Sequence, residues 1–469
     1  GAAEMDDLES GDVQIVEEEE GQCWGETELV NEAALDDPAP KPWEKYAPIR
    51  NRVLVIISII QMFAVVTSMA YLPVLPTVQE VFDANDFTAN LTMVSFTLVT
   101  GFMPLFHGPL CDRYGRKTML VGGMFGYIGA MLMAGSATDI WGLIIYRGLV
   151  AFFSSGFTTY CGGILGDILN PEVRATFISL TMMPSMLIAM VAPFLAGILT
   201  DLVSWRFGAF YCMVILMVLF MPFVWFFVPE TLSRLQMLKK EPGEETPAER
   251  TAASIPPKPI NPIFPLKLVL GWPIVGTVIA NAVLFASAYL ANSQFSIIVG
   301  NEYEFKATVI GLLLIPVGIG RVVGSIFGGK MSDMARQAAI KRGWNGRTGN
   351  LIVAFVTMLV TAVATALYGW TIVFSAVVGV LFASVSGFGA MVCRSITFAY
   401  AVELHGRNAG AATAGLVCVQ FLIVTASLLL VSVFFEVIGV AATFTLVGLI
   451  LLATMVPMAY VIIKRRFDE

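Results

Sequence analysis

Apolar runs of about 20 residues recur along this chain, and a run of that length crosses the roughly 30 Å hydrocarbon core of a bilayer as one helix. They fall at roughly 53–74, 89–110, 118–137, 140–163, 176–200, 206–228, 267–291, 307–329, 350–369, 371–394, 409–434 and 438–463. Inside lipid every backbone N–H and C=O must be bonded within the protein, which leaves helices or a closed barrel. Barrel strands alternate apolar and polar residues over about ten positions, and these runs do not alternate. Composition agrees: 57% of residues are hydrophobic and 13% charged, against about 25% charged in soluble domains. The sequence predicts an all-α integral membrane protein of about twelve transmembrane helices.

The formal net charge of −7 says little about partners, because the acid is concentrated outside the apolar runs. Residues 1–48 form an acidic tail containing Glu17 to Glu20, expected to be disordered and cytoplasmic. Residues 229–265 carry Lys239-Lys240-Glu241-Pro242-Gly243-Glu244-Glu245 and Ile255-Pro256-Pro257-Lys258-Pro259, a composition that builds a linker and not a core. Two six-helix halves, 49–228 and 266–469, remain. Lys and Arg collect in alternate loops, at Lys45, Arg50, Arg52, Arg113, Arg116, Lys117, Arg174, Lys330, Arg336, Arg407 and Lys464, while the opposite loops hold little beyond Arg206 and Lys306. Basic loops stay in the cytoplasm, so both termini are expected there, with the first span serving as its own insertion signal. The cysteines show no paired or metal-like spacing and read as small apolar filler.

The loop after the second run reads Gly108-Pro109-Leu110-Cys111-Asp112-Arg113-Tyr114-Gly115-Arg116-Lys117, and a reduced copy, Gly329-Lys330-Met331-Ser332-Asp333, follows the eighth. The first of these resembles the signature of the major facilitator superfamily. The resemblance covers residues 49 to 469 in topology. It implies two pseudo-symmetric bundles around a central site, alternating access, and no enzymatic activity. Gly108 is expected to let two helices approach closely, and Asp112 to sit at a helix N-terminus.

Asp167-Ile168-Leu169-Asn170-Pro171-Glu172-Val173-Arg174 follows the fourth run and is similar to the acid and arginine that the family places there. By that resemblance Gly108, Asp112, Arg113, Gly115, Arg116, Asp167 and Arg174 form a cytoplasmic gate. Asp333, Glu403 and Arg407 are the second half's weaker equivalents.

Three arginines lie within apolar runs: Arg147, Arg321 and Arg394. A mid-membrane charge costs at least about 2.5 kcal/mol, so each needs a partner or a wet cavity. Arg147 matches the family's fourth-helix arginine, implicated in proton coupling together with Asp112, although Ala151 replaces the expected glycine. Ile188-x-x-x-Ala192-Pro193-x-x-Ala196-Gly197 in the fifth run is similar to the antiporter motif, with two glycines replaced. Val228-Pro229-Glu230-Thr231-Leu232 and Tyr71-Leu72-Pro73-Val74-Leu75-Pro76 resemble segments of the twelve-span drug:proton antiporter branch.

No Asp or Glu lies well inside the first, fourth, seventh or tenth runs, which line the cavity in that family. The predicted lining is Gln61, Tyr71, Phe153, Phe157, Thr158, Asn281, Phe285, Tyr289, Arg321 and Arg394, which suits amphiphilic or weakly anionic organic molecules and not strongly cationic ones. His107 and His405 are expected at the cytoplasmic interface. The sequence carries no metal, nucleotide or nucleic-acid motif, so no cofactor is expected. The expected partners are a small molecule, protons and lipid, with the protein monomeric in the plasma membrane. A sugar or organic-acid facilitator or symporter, and a non-transporting receptor of the same fold, remain as alternatives.

Overall fold

The computed structural model describes residues 44–169, 171–232, 261–271, 274–344, 346–405 and 409–464. The acidic tail before residue 44, most of the linker and Arg407 lie outside the described residues.

Ten helices are long and apolar enough to cross a membrane, and a bent pair, Asp86–Phe102 with Pro104–Tyr114, makes an eleventh. The last of the ten, Gly410–Ala459, is 50 residues long. At about 1.5 Å per residue it would reach far beyond one bilayer. It breaks at Gly439, where φ is 80° and ψ 168°, so it counts as two spans and brings eleven to twelve.

Local chemistry sets the boundaries. The second span starts at Asn85, whose side chain accepts the Thr88 N–H at 2.8 Å. It bends by 49° just before Pro104, which has no N–H to continue the ladder. Gly115, at φ 103° and ψ 146°, separates it from the third span, Arg116–Gly135. Residues with a Cβ almost never adopt that conformation. Asp139 opens the fourth span, Ile140–Ile168, by accepting the Gly142 N–H at 2.7 Å.

The spans pack as two related sets. In the first half the third and fourth, first and fifth, and second and fourth pack together; in the second half the ninth and tenth, and the eighth and tenth, do so. Between halves the second packs on the eleventh and the fifth, Pro171–Leu202, on the eighth, Ala307–Lys341. Moving each index by six exchanges these two contacts, the signature of a two-fold axis relating the halves. The seventh span, Val275–Tyr303, is the most enclosed of all.

The fifth and eighth spans touch backbone to backbone. A Cβ on Gly197 would overlap the Ala307 carbonyl oxygen and lie 2.9 Å from the Thr308 Cα. One on Gly311 would lie 2.7 Å from the Phe194 Cα. Here small residues are sterically required. Gly108 differs from expectation: its Cβ would meet only Thr159 Cγ2, at 4.0 Å, so close helix approach does not explain that glycine.

Candidate functional site

The charged loop folds into a cluster around Arg116. Its Nη1 lies 2.7 Å from Asp112 Oδ1 and its Nε donates to Asp167 Oδ2 at 3.1 Å. Thr231 donates its hydroxyl to the same Asp167 oxygen at 2.8 Å. Glu230 accepts the backbone N–H groups of Arg116 and Lys117 at 2.8 and 3.1 Å. The carboxylate at the third span's N-terminus is thus Glu230 and not Asp112, which sits in the last turn of the preceding helix with its side chain 58% exposed. Glu230 occupies the favourable end of a helix dipole, and the sequence reading missed this role. The cluster therefore ties the second, third, fourth and sixth spans of one half to each other. Arg113 is exposed and stacks over Tyr114. Asp333 is exposed at the corresponding end of the eighth span. Arg174 and Glu403 lie on helices, but their side chains fall outside the described residues.

Arg147 is fully buried in the fourth span. Its guanidinium lies 3.8 Å from the Tyr71 ring centroid and 4.7 Å from that of Phe96, and its Nε donates to the Thr92 carbonyl at 3.5 Å. Tyr71 donates its own hydroxyl to Thr92 Oγ1 at 3.0 Å. These contacts place the charge on aromatic faces and a carbonyl. Tyr71, expected in the cavity, is instead fully buried beneath Arg147.

A third cluster lies where the halves meet. Tyr289 and Ser68 share a hydrogen bond of 3.2 Å across the junction. Arg321 approaches the Ala288 carbonyl at 3.5 Å and Met69 Sδ at 3.7 Å, and its Nε is buried with no partner. Arg394 lies 5.1 Å from the centroids of both Phe285 and Phe398, and Phe285 packs edge-on to Phe421. Neither Arg321 nor Arg394 forms an ion pair among the described residues.

Three other expected lining residues, Phe153, Phe157 and Asn281, pack against neighbouring spans. Phe157 is fully buried against Tyr127, and Phe153 lies over Gly126; both rings fill the interface with the third span. Asn281 joins three spans, donating to the Cys393 carbonyl at 3.3 Å and accepting from Gln420 at 2.8 Å. Thr158 is exposed on the fourth span. Gln61 is 2% exposed with neither amide atom partnered. His107 is also not interfacial: it is buried between the Phe152 carbonyl, 2.8 Å away, and the Tyr160 hydroxyl, 2.7 Å away.

One face of the junction is bolted. Asp201, at the end of the fifth span, accepts both the backbone N–H of Thr308, at 2.9 Å, and its hydroxyl. Asn90 donates to Ser432 at 2.8 Å and accepts from Gln294 at 3.0 Å, and Thr425 donates to Thr97 at 3.0 Å. The Asp201 and Asn90 bonds lie toward the face that carries Asp201, opposite the face that carries Arg116, and the Thr97–Thr425 bond lies near mid-span. They also bury Asn90, the first residue of the Asn90-Leu91-Thr92 sequon, to 1% exposure. Asp201 gave no local sign of its role, because its partner is 107 residues away.

With this geometry in view, residues 57–418 match the family model described as Major Facilitator Superfamily. The chain belongs to that superfamily and is a multi-pass integral membrane protein. It is similar to the MFS-type transporter phiD of a fungal species, 23% identical over 317 residues that cover 62% of this chain and 47% of phiD. It is also similar to dityrosine transporter 1 of Saccharomyces cerevisiae, 27% identical over 387 residues, covering 73% of this chain and 67% of the relative. The multidrug transporter DTR1 of Candida glabrata is likewise 27% identical, over 390 residues covering 73% and 71%. The fold resembles that of the human organic anion transporter MFSD10 (TETRAN), with a TM-score of 0.59 at 16% identity, covering 87% of this chain and 99% of that one.

Proposed function

We propose that this protein is a secondary active transporter that moves small amphiphilic organic compounds by alternating access, coupled to protons and directed outward. The observation that carries the reading is the junction cluster. Ser68 and Met69 of one half meet Tyr289 and Arg321 of the other, at the level about which the two halves would rock. Arg116 marks the cytoplasmic face by the positive-inside rule, so the bolted Asp201 face is the outer one. In the state that opens outward the cytoplasmic ends close. Asp112, exposed here, and Arg113 are then free to take partners from the second half, as the gate reading requires. Exposed pairs of this kind are worth about 1 kcal/mol or less, which suits a contact that must open every cycle. Relatives named for dityrosine and multidrug transport support an aromatic or amphiphilic substrate.

Proton antiport rests on the fifth-span motif and on Arg147. The test is uptake of labelled dityrosine and fluconazole, the second because a relative is named for fluconazole resistance, into vesicles holding the full-length protein. Accumulation is expected to rise about tenfold when a pH gradient of one to two units is imposed, the order that gradient supplies at 1.4 kcal/mol per tenfold. Equal uptake with and without the gradient would leave an uncoupled facilitator, and no uptake of either compound would contradict the transport reading.

A further inference from the structure

We infer that Arg321 and Arg394 together seat the anionic group of the substrate, with Phe285, Tyr289 and Phe421 holding its apolar part. This rests on the transport reading and names the substrate class of the same cluster. A guanidinium removed from water needs a counter-charge or a full set of acceptors. Arg116 has its counter-charges in Asp112 and Asp167. Arg147 is sealed between the Tyr71 and Phe96 rings. Arg321 has neither arrangement: one long contact to the Ala288 carbonyl, one to Met69 Sδ, and a buried Nε with no partner. Arg394, half-buried, has the faces of Phe285 and Phe398 and no counter-charge among the described residues.

The two cations share one place. The Arg321 stem packs on Gly387 of the tenth span, whose Cβ would lie 3.2 Å from the Arg321 Cγ. Arg394 is two turns further along that span, on the same side of it. Both arginines also meet the same turn of the seventh span, Arg394 at Phe285 and Arg321 at the Ala288 carbonyl. Two guanidiniums therefore flank one turn of helix, with aromatic surface beside them and Met69 of the opposite half against one of them. A carboxylate or sulfonate is the group that such a pair binds well, since a guanidinium presents a planar fork of donors to it. An aromatic or alkyl body would lie on the Phe285, Tyr289 and Phe421 surface. A cation would meet two uncompensated positive charges.

Three matched probes test this with full-length protein in nanodiscs and in vesicles: 2-naphthalenesulfonate, the neutral 2-naphthalenesulfonamide, and the cationic (2-naphthylmethyl)trimethylammonium. The sulfonate is expected to bind about tenfold or more tighter than the other two, as a charge-assisted hydrogen bond implies. Arg321→Gln and Arg394→Gln are each expected to weaken sulfonate binding about tenfold and sulfonamide binding by less, so that the preference for the anion falls, and an unfolding temperature close to the parent's shows that the variants are folded. Arg321→Lys and Arg394→Lys retain charge and are expected to fall between. Equal binding of all three probes, or Gln variants that bind sulfonate as the parent does, would overturn the seat. Vesicle uptake of only the neutral or cationic probe would overturn the seat and leave transport standing. Sulfonate binding without uptake would overturn transport and leave the seat.

Discussion

Gly197→Leu is expected to prop the halves apart on the Asp201 face and to slow transport about 10- to 100-fold, with Gly197→Ala intermediate. The fifth and eighth spans touch there through backbone, since a Cβ on Gly197 would overlap the Ala307 carbonyl and approach the Thr308 Cα at 2.9 Å. A carbonyl cannot swing aside as a flexible side chain can. Overpacking of a close contact costs about 1–3 kcal/mol, and this cost falls only on the state in which the two spans meet. The neighbouring Asp201–Thr308 bonds would break with the same displacement. Labelling of a cysteine at Ser68 by a membrane-impermeant reagent from the Asp201 side reads the effect directly. It is expected to quicken in Gly197→Leu; unchanged labelling together with unchanged transport would contradict the bolt.

Arg147→Met separates stability from function. The guanidinium is fully buried, and among the described residues ring faces, a sulfur and one long carbonyl contact surround it. Replacing a buried charge by an apolar side chain of similar volume is often neutral or stabilising, by about 1–4 kcal/mol. Arg147→Met is therefore expected to unfold at the same temperature or higher. Proton-driven uptake, in contrast, is expected to drop by about tenfold or more if the buried cation takes part in coupling. Arg147→Ala would lose packing as well, about 2–5 kcal/mol by analogy with other large-to-small core changes, and so confounds the two effects. Full gradient-driven uptake in Arg147→Met would remove Arg147 from the mechanism and leave it as a structural cation.

The membrane helices were legible because each is a long apolar run, and the last long helix divides at Gly439, two residues past the gap between the runs at 409–434 and 438–463. The Arg116 cluster was legible in part. Asp112, Arg116 and Asp167 do converge, since a motif fixes residues around one loop, yet the helix cap came from Glu230, 114 positions away from Arg116. Which face of a span looks inward was not legible. Phe153 and Phe157 read as lining residues because they are aromatic on the fourth span, but the third span packs on that face and takes them up. Tyr71 read as a cavity residue because it is a polar aromatic on the first span, and its partner decided its role: the face of its phenol is taken up by Arg147. Hydropathy has a period along one helix and carries no record of which neighbour covers which side. For the same reason the cross-half bonds of Asn90, Thr97 and Asp201 had no sequence signal.

The central claim, that two halves rock about the Ser68–Tyr289 junction, is tested most directly by spin-label distances in nanodiscs. One pair would span the halves on each face, at Arg113 with Met334 and at Val203 with Val437, all four of which are exposed. When a transported compound is added, the account predicts that one distance shortens as the other lengthens. Two distances that move together, or that do not respond at all, would contradict it.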